Sequence, residues 1–96
     1  MNLSKTLSNK REEILRITAA HGATNLRVFG SVSRGEATGK SDLDLLINLE
    51  PGRTILDIIA IKQDLEDLLG CSVEVVTENA VSPYIREQIL KEAISL

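Results

Sequence analysis

The sequence predicts an α/β (α+β) protein, in which helices pack on a small mixed β-sheet. Two observations lead to this class. Apolar residues recur at the helical period in three long segments, and they alternate or cluster in three shorter segments between them. The order along the chain is α-β-(α)-β-α-β-α, where the bracketed helix is a short piece. With 96 residues and 43% hydrophobic content, residues 1–96 are expected to form one domain around one aliphatic core.

The first half of the chain begins with a helix. Apolar residues recur near the helical period over residues 3–21, and Gly22 stops this helix. His21 is expected to sit at the helix end, where the dipole favours it. Residues 25–29 form the first strand, followed by a tight turn and a short helical piece as far as Gly35.

The second strand and the second helix have the clearest local signals. Residues 43–49 are nearly all apolar after Asp44, which is typical of an interior strand covered on both faces. Thr54 and Asp57 form a capping box that opens a helix running through Leu69. The predicted buried stripe of this helix is Ile55, Ile58, Ile59, Ile61, Leu65, Leu68 and Leu69.

The last third of the chain adds a strand and a helix. Residues 71–77 read as the third strand, in which Cys71 is expected to be a small buried hydrophobe. Glu74 is a charge within a β-branched run, for which solvent exposure on an edge strand is the simple explanation. The last helix is predicted over residues 82–96 with a broad apolar face, and Tyr84 is expected to be half-buried.

Composition argues against several classes of function. The net charge is −3 without a basic block, and the chain has one Phe, one Tyr and no Trp. Both facts disfavour nucleic-acid binding, which needs clustered Lys and Arg or stacking aromatics. One cysteine cannot form an internal disulfide, and no apolar run is long enough to span a membrane. We therefore expect a soluble cytoplasmic protein.

The most informative stretch joins the first two strands. Asp42 and Asp44 are separated by one residue at the start of the second strand, so both point to the same face, where a divalent cation would relieve their repulsion. Gly30 and Ser31 could hold a phosphate at a helix start, with Arg34 reaching the same anion. For the Gly-Ser pair alone, an ordinary strand-to-helix turn with a surface arginine is the simpler interpretation.

Taken together, these residues carry a resemblance. Gly30-Ser31, Arg34-Gly35 and the Ser-Asp-Leu-Asp run at 41–44 resemble the signature of the DNA polymerase β nucleotidyltransferase superfamily. The short length and the Arg-Gly pair resemble the minimal nucleotidyltransferases (MNT) within it. The resemblance covers essentially the whole chain in element order and implies a polymerase-β-like nucleotidyltransferase core.

The resemblance also implies a chemistry and a set of site residues. It implies Mg²⁺-dependent transfer of a nucleoside monophosphate from a nucleoside triphosphate to a hydroxyl, with two metal ions in the site. Family members usually carry a third carboxylate as Asp on the third strand, where this chain offers only Glu74, one methylene longer. The implied catalytic residues and metal ligands are Asp42, Asp44 and Glu74, and the implied nucleotide-binding residues are Gly30, Ser31, Arg34 and Ser41.

MNT proteins are similar to antitoxins that pair with a helical HEPN ribonuclease toxin and can adenylylate it on tyrosine. The expected function is therefore transfer of AMP from ATP to a tyrosine hydroxyl of a HEPN toxin, with the chain as antitoxin. Two alternatives stay open. One is a catalytically inactive subunit that neutralises its toxin by binding alone, and the other is a small-molecule nucleotidyltransferase such as an antibiotic-modifying enzyme.

Overall fold

A computed structural model describes residues 3–30 and 43–96 of the chain. The elements are α1 (Leu3–Ala20), β1 (Ala23–Phe29), β2 (Leu43–Leu49), α2 (Ile55–Leu69), β3 (Val73–Thr77), a 3₁₀ turn (Glu78–Ala80), α3 (Pro83–Glu92) and β4 (Ile94–Ser95). The strands form one sheet in the order β3-β2-β1-β4, in which β2 and β3 are parallel and the other pairs are antiparallel. The predicted class, a small mixed sheet with helices packed on it, is confirmed.

Local sequence signals set the limits of α2. The Thr54 hydroxyl accepts a hydrogen bond from the Leu56 N–H at 3.2 Å, and the Asp57 carboxylate accepts one from the Thr54 N–H at 3.1 Å. At the other end, Gly70 has φ +70° and its N–H donates to the Glu66 carbonyl at 2.8 Å. The predicted capping box and glycine stop are therefore both present.

The core lies on one face of the sheet, between the strands and helices α1 and α2. Leu43, Leu45 and Ile47 alternate along β2 and are fully buried on this face. The intervening residues of β2, Asp44 and Asn48 among them, point to the second face. The buried core residues are Leu7, Ile14, Ala23, Leu26, Val28, Leu43, Leu45, Ile47, Ile61, Leu65, Leu69 and Val73.

The C-terminal end differs from the sequence prediction. The helix predicted over residues 82–96 ends at Glu92, and Ile94 and Ser95 form β4 instead. These two residues pair with Val28 and Arg27, on the edge of β1 that β2 leaves open. An extended pair that bonds to an open sheet edge satisfies backbone groups that a frayed last helical turn would leave to water.

Some predicted core positions are exposed. In α2, Ile55 is 68% exposed and Ile59 is 45% exposed, because burial follows the narrower i, i+4, i+8 stripe of the helix rather than its whole apolar face. Tyr84 is 96% exposed rather than half-buried, and none of the α3 residues, all of which the structure describes, is buried. Cys71 is half-buried against the core. Among the described residues, no helix is long and apolar enough to cross a bilayer.

Candidate active site

Asp44 is the centre of the candidate site. It is the second residue of β2 and faces two register partners, Phe29 at the end of β1 and Glu74 in β3. Residues paired in register project to the same face of a sheet, and neighbouring strands lie about 4.8 Å apart. The structure therefore brings the Asp44 and Glu74 positions side by side on the face opposite the helices that cover the core.

Gly30 brings the backbone against Asp44. Its φ is +75°, a left-handed conformation that residues with a side chain rarely adopt. A Cβ placed on Gly30 would collide with the Asp44 carboxylate oxygen Oδ2 and lie 3.2 Å from the carboxyl carbon. Glycine is thus required at this position both for the turn and for the close approach of the chain to the carboxylate.

Glu74 is exposed on β3, which is an edge strand of the described sheet. The solvent exposure expected from the sequence is therefore confirmed. The parallel register of β2 with β3 shows in addition that this exposed residue lies next to Asp44. Carboxylate oxygens are the ligands that Mg²⁺ prefers, and it needs few of them because it retains waters and shares substrate phosphates. Two neighbouring carboxylates, one half-buried and one exposed, fit such an ion.

Four of the predicted site residues lie outside the described residues. These are Ser31, Arg34, Ser41 and Asp42, so the phosphate-binding turn and the first acid of the Asp-x-Asp pair stay predictions. In the described ranges 3–30 and 43–96, His, Cys, Asp and Glu side chains form no group of three or more that could hold a metal ion. Asp44 and Glu74 supply two adjacent carboxylate positions rather than three.

A polar network on the same sheet face was missed by the sequence reasoning. The guanidinium of Arg27 donates to the amide oxygen of Asn48 at 2.9 Å and to the Glu78 carboxylate at 3.1 Å. The Asn48 side-chain N–H₂ donates to Glu78 at 3.1 Å, and Arg86 of α3 donates to its other oxygen at 3.3 Å. The network ties β1, β2 and α3 to the 3₁₀ turn. Polar residues within the apolar runs of β1 and β2 were the signal that could have revealed it.

These donors shift the titration of Glu78. The Asn48 amide, then Arg27 and then Arg86 lower the pKa of its carboxyl below the ordinary value of 4.5. The carboxylate is therefore charged at neutral pH and holds the network together. On β2, Asn48 lies four residues beyond Asp44, about 13 Å along the strand, so this network supports the far end of the site face.

His21 belongs to a structural contact rather than to the site. Its Nε2 lies 3.3 Å from Asp64 Oδ2, and its Nδ1 lies 3.6 Å from Asp57 Oδ1. Both carboxylates belong to α2, so His21 links the end of α1 to that helix. The predicted position at a helix end is correct, but the partners that hold it are side chains of the neighbouring helix.

Comparison with known proteins places the chain. A family model described as a nucleotidyltransferase domain matches residues 9–96. The chain is 35% identical over 86 residues to a candidate protein adenylyltransferase of Methanocaldococcus jannaschii, which covers 90% of this chain and 92% of that protein. It is also 35% identical over 91 residues to the protein adenylyltransferase MntA of Thermococcus cleftensis, covering 86% of this chain and 92% of that one.

The chain belongs to the nucleotidyltransferase domain family. A solved structure described as a candidate minimal nucleotidyltransferase matches it with a TM-score of 0.89 and 53% identity, over 100% of this chain and 97% of that one. A chain from the crystal structure of a toxin–antitoxin with AMP-PNP matches with a TM-score of 0.76 and 19% identity, over 88% and 69%, and shows the same fold. The predicted minimal nucleotidyltransferase family and its enzyme class are confirmed.

Proposed function

We propose that this nucleotidyltransferase transfers AMP from ATP to a tyrosine hydroxyl of a HEPN-type helical toxin and acts as the antitoxin of that toxin in the cytoplasm. The observation that carries the proposal is the pairing of Asp44 with Glu74, with the Gly30 backbone against Asp44. Relatives named protein adenylyltransferase support the reaction. Toxin–antitoxin structures with the same fold, one of them with AMP-PNP, support the partner and the nucleotide.

The proposal assigns metal binding to Asp42, Asp44 and Glu74. When bound, Mg²⁺ would offset the charge of the triphosphate and stabilise the attacking and leaving oxygens. The fit rests on the half-buried Asp44 and the exposed Glu74, which offer hard oxygen ligands next to each other on β2 and β3.

In the proposed reaction the tyrosine oxygen attacks the α-phosphorus of ATP. The new bond joins that oxygen to the adenylyl group, the bond to the β-phosphate breaks, and pyrophosphate leaves. The phenol proton passes to a base, a role that we give to the Glu74 carboxylate because it is exposed and next to Asp44. Gly30, Ser31, Arg34 and Ser41 hold the triphosphate in this proposal.

Exposed apolar side chains favour a protein acceptor. Tyr84, Ile85 and Leu90 on α3 are 96%, 52% and 38% exposed, and Ile55 and Leu56 on α2 are 68% and 72% exposed. Exposed apolar side chains of this kind are available for contact with another protein. The net charge of −3 gives a nucleic-acid acceptor no overall electrostatic attraction.

The test uses the chain and the product of the adjacent gene as the candidate partner, mixed with ATP and Mg²⁺. We expect intact-mass spectrometry to show one adenylyl group added to the partner, and no addition when EDTA removes the metal. A label that goes to RNA ends while the partner keeps its mass would contradict the proposal.

Binding alone is the second candidate function, and the extra methylene of Glu74 relative to the usual Asp favours it. It predicts that the two proteins co-purify and that the partner is silenced without any mass change. Melting curves separate the two candidates further, because only the enzyme is expected to show a Mg²⁺-dependent rise in melting temperature with ATP.

A further inference from the structure

Two side chains of α2 hold the backbone of Val73, the first residue of β3. The Val73 N–H donates to Glu66 Oε2 at 3.0 Å, and Lys62 Nζ donates to the Val73 carbonyl at 2.6 Å. Lys62 Nζ also donates to Glu66 Oε2 at 3.1 Å. The three residues thus form a closed ring of hydrogen bonds, and we call the Lys62–Glu66 pair the Val73 clamp.

The clamp acts on the outer side of the strand. Among the described strands β3 is at the edge of the sheet and pairs only with β2. On its inner side, the Ser72 carbonyl accepts a hydrogen bond from the Leu43 N–H at 2.9 Å. The outer N–H and C=O of an edge strand are ordinarily left to water, so the clamp ties the start of β3 on a side where the sheet offers no partner.

The clamp is made of charged groups, which give stronger and more directional hydrogen bonds than neutral ones. The Val73 N–H and then the Lys62 ammonium lower the pKa of the Glu66 carboxyl below its ordinary value of 4.5. Glu66 is therefore ionised at neutral pH. The side chains of Lys62 and Glu66 are 38% and 31% exposed, so the pair is partly shielded from water.

Val73 is the residue before Glu74, and its register partner Leu43 is the residue before Asp44. We propose that Lys62 and Glu66 are positioning residues for the transfer reaction, because they fix the start of β3 and thereby the spacing between the Glu74 and Asp44 carboxylates. Core packing of Val73, which is fully buried, fixes its depth in the fold, and the clamp fixes its backbone at the edge. The inference rests on the proposed function, which gives Glu74 its role.

The experiment compares Lys62→Met, Glu66→Ala and Glu66→Gln with the wild-type chain. Lys5→Met is the matched control, because Lys5 is exposed on α1, which contributes neither to the clamp nor to the exposed apolar side chains of α2 and α3. The readouts are kcat and the KM for ATP in the partner-transfer assay, and hydrogen exchange of the backbone amides at residues 73–75.

We expect Lys62→Met and Glu66→Ala to lower kcat about tenfold, as the loss of supporting groups around a metal site commonly does, with little change in the KM for ATP. Exchange at residues 73–75 should become faster in both variants. Glu66→Gln keeps an acceptor for the Val73 N–H and should recover part of the loss, while Lys5→Met should match the wild type in both readouts.

Two results would overturn the inference. One is a kcat for Lys62→Met and Glu66→Ala equal to that of Lys5→Met, even if their melting temperatures fall, because the pair would then serve stability alone. The other is an unchanged rate of hydrogen exchange at residues 73–75 in both variants. That result would show that the clamp does not hold the start of β3, and it can be obtained even if the wild-type chain has no transfer activity. If the wild-type chain folds but shows no transfer, that result contradicts the proposed function and not the role of the clamp.

Discussion

At the scale of single residues, Gly30 offers a sharp test of the geometry around Asp44. Gly30→Ala places a methyl group against the Asp44 carboxylate and forces a left-handed φ of +75° on alanine. We expect a loss of stability above the roughly 1 kcal/mol that the backbone conformation costs, together with a loss of transfer, measured by thermal unfolding and by the partner assay.

Gly52→Ala is the control for this substitution. Gly52 has φ +89°, but a Cβ there would meet no atom within 4 Å. It should therefore cost about 1 kcal/mol from the backbone alone and leave transfer unchanged. Equal effects of the two variants on transfer would mean that the contact between Gly30 and Asp44 does not matter to the site.

Glu74 gives a second residue-scale prediction. Glu74→Gln keeps the size of the side chain but removes its charge, so a base or metal ligand would be lost while the strand is kept. We expect kcat to fall by more than the affinity for ATP, whereas Glu12→Gln at an exposed position of α1 should change neither. A Glu74→Gln chain with wild-type kcat would exclude the carboxylate from the reaction.

Gly30, Asp44 and Glu74 also show how much of the site could be predicted from the sequence. The motif points to Asp44 and Gly30 from local spacing alone, and the β-branched run places Glu74 on a strand. Their juxtaposition depends on the parallel register of β2 with β3. Along the chain, β2 and β3 are separated by the whole of helix α2, so no local sequence pattern sets the register between them.

At the scale of elements, the N-terminus of α2 should be a local contributor to stability. Thr54→Ala removes the hydroxyl that accepts from the Leu56 N–H, which costs about 1 kcal/mol for a typical cap. Thr54→Ser keeps the acceptor and should stay close to the wild type in urea unfolding. A Thr54→Ala chain as stable as Thr54→Ser would show that the cap contributes nothing.

The elements divide by how local their signals are. For β2 and α2, an apolar run and a capping box coincide with the observed limits, Leu43–Leu49 and Ile55–Leu69. By contrast, β4 has two residues and exists only because β1 offers an open edge. Ile55 is exposed because α2 packs against a limited surface. The period of the apolar residues in the sequence does not reveal the extent of that surface.

At the scale of the whole molecule, three carboxylates predict how stability depends on pH. The pKa of Asp57 lies below its ordinary 3.8, chiefly because of the Thr54 N–H, and those of Glu66 and Glu78 lie below 4.5, chiefly because of the Val73 N–H and the Asn48 amide. Because each group binds protons more weakly when folded, its stabilising effect is full above the ordinary pKa and is lost as the pH falls through the folded one.

We therefore expect the free energy of unfolding in urea to decrease as the pH drops below about 4.5. Glu78→Gln should reduce the slope of that decrease, because the Arg27 and Asn48 donors would then face an uncharged amide. A chain whose stability is flat from neutral pH to pH well below that range would contradict the assigned carboxylate partners.

The network around Glu78 could not be predicted from local sequence patterns. Arg27, Asn48 and Glu78 come from three separate segments, and each looks like an unremarkable polar residue in its own segment. Only the antiparallel pairing of β1 with β2, together with the turn after β3, brings them together on one face.

The most direct test of the account is the transfer of AMP to the partner by Asp44→Asn, with Asp67→Asn on exposed α2 surface as a control of equal charge. We expect Asp44→Asn to fold with nearly unchanged stability and to lose transfer by at least about a hundredfold, as removal of a group that stabilises developing charge does. Asp67→Asn should keep wild-type transfer. Adenylylation of the partner by Asp44→Asn at the wild-type rate would contradict the site.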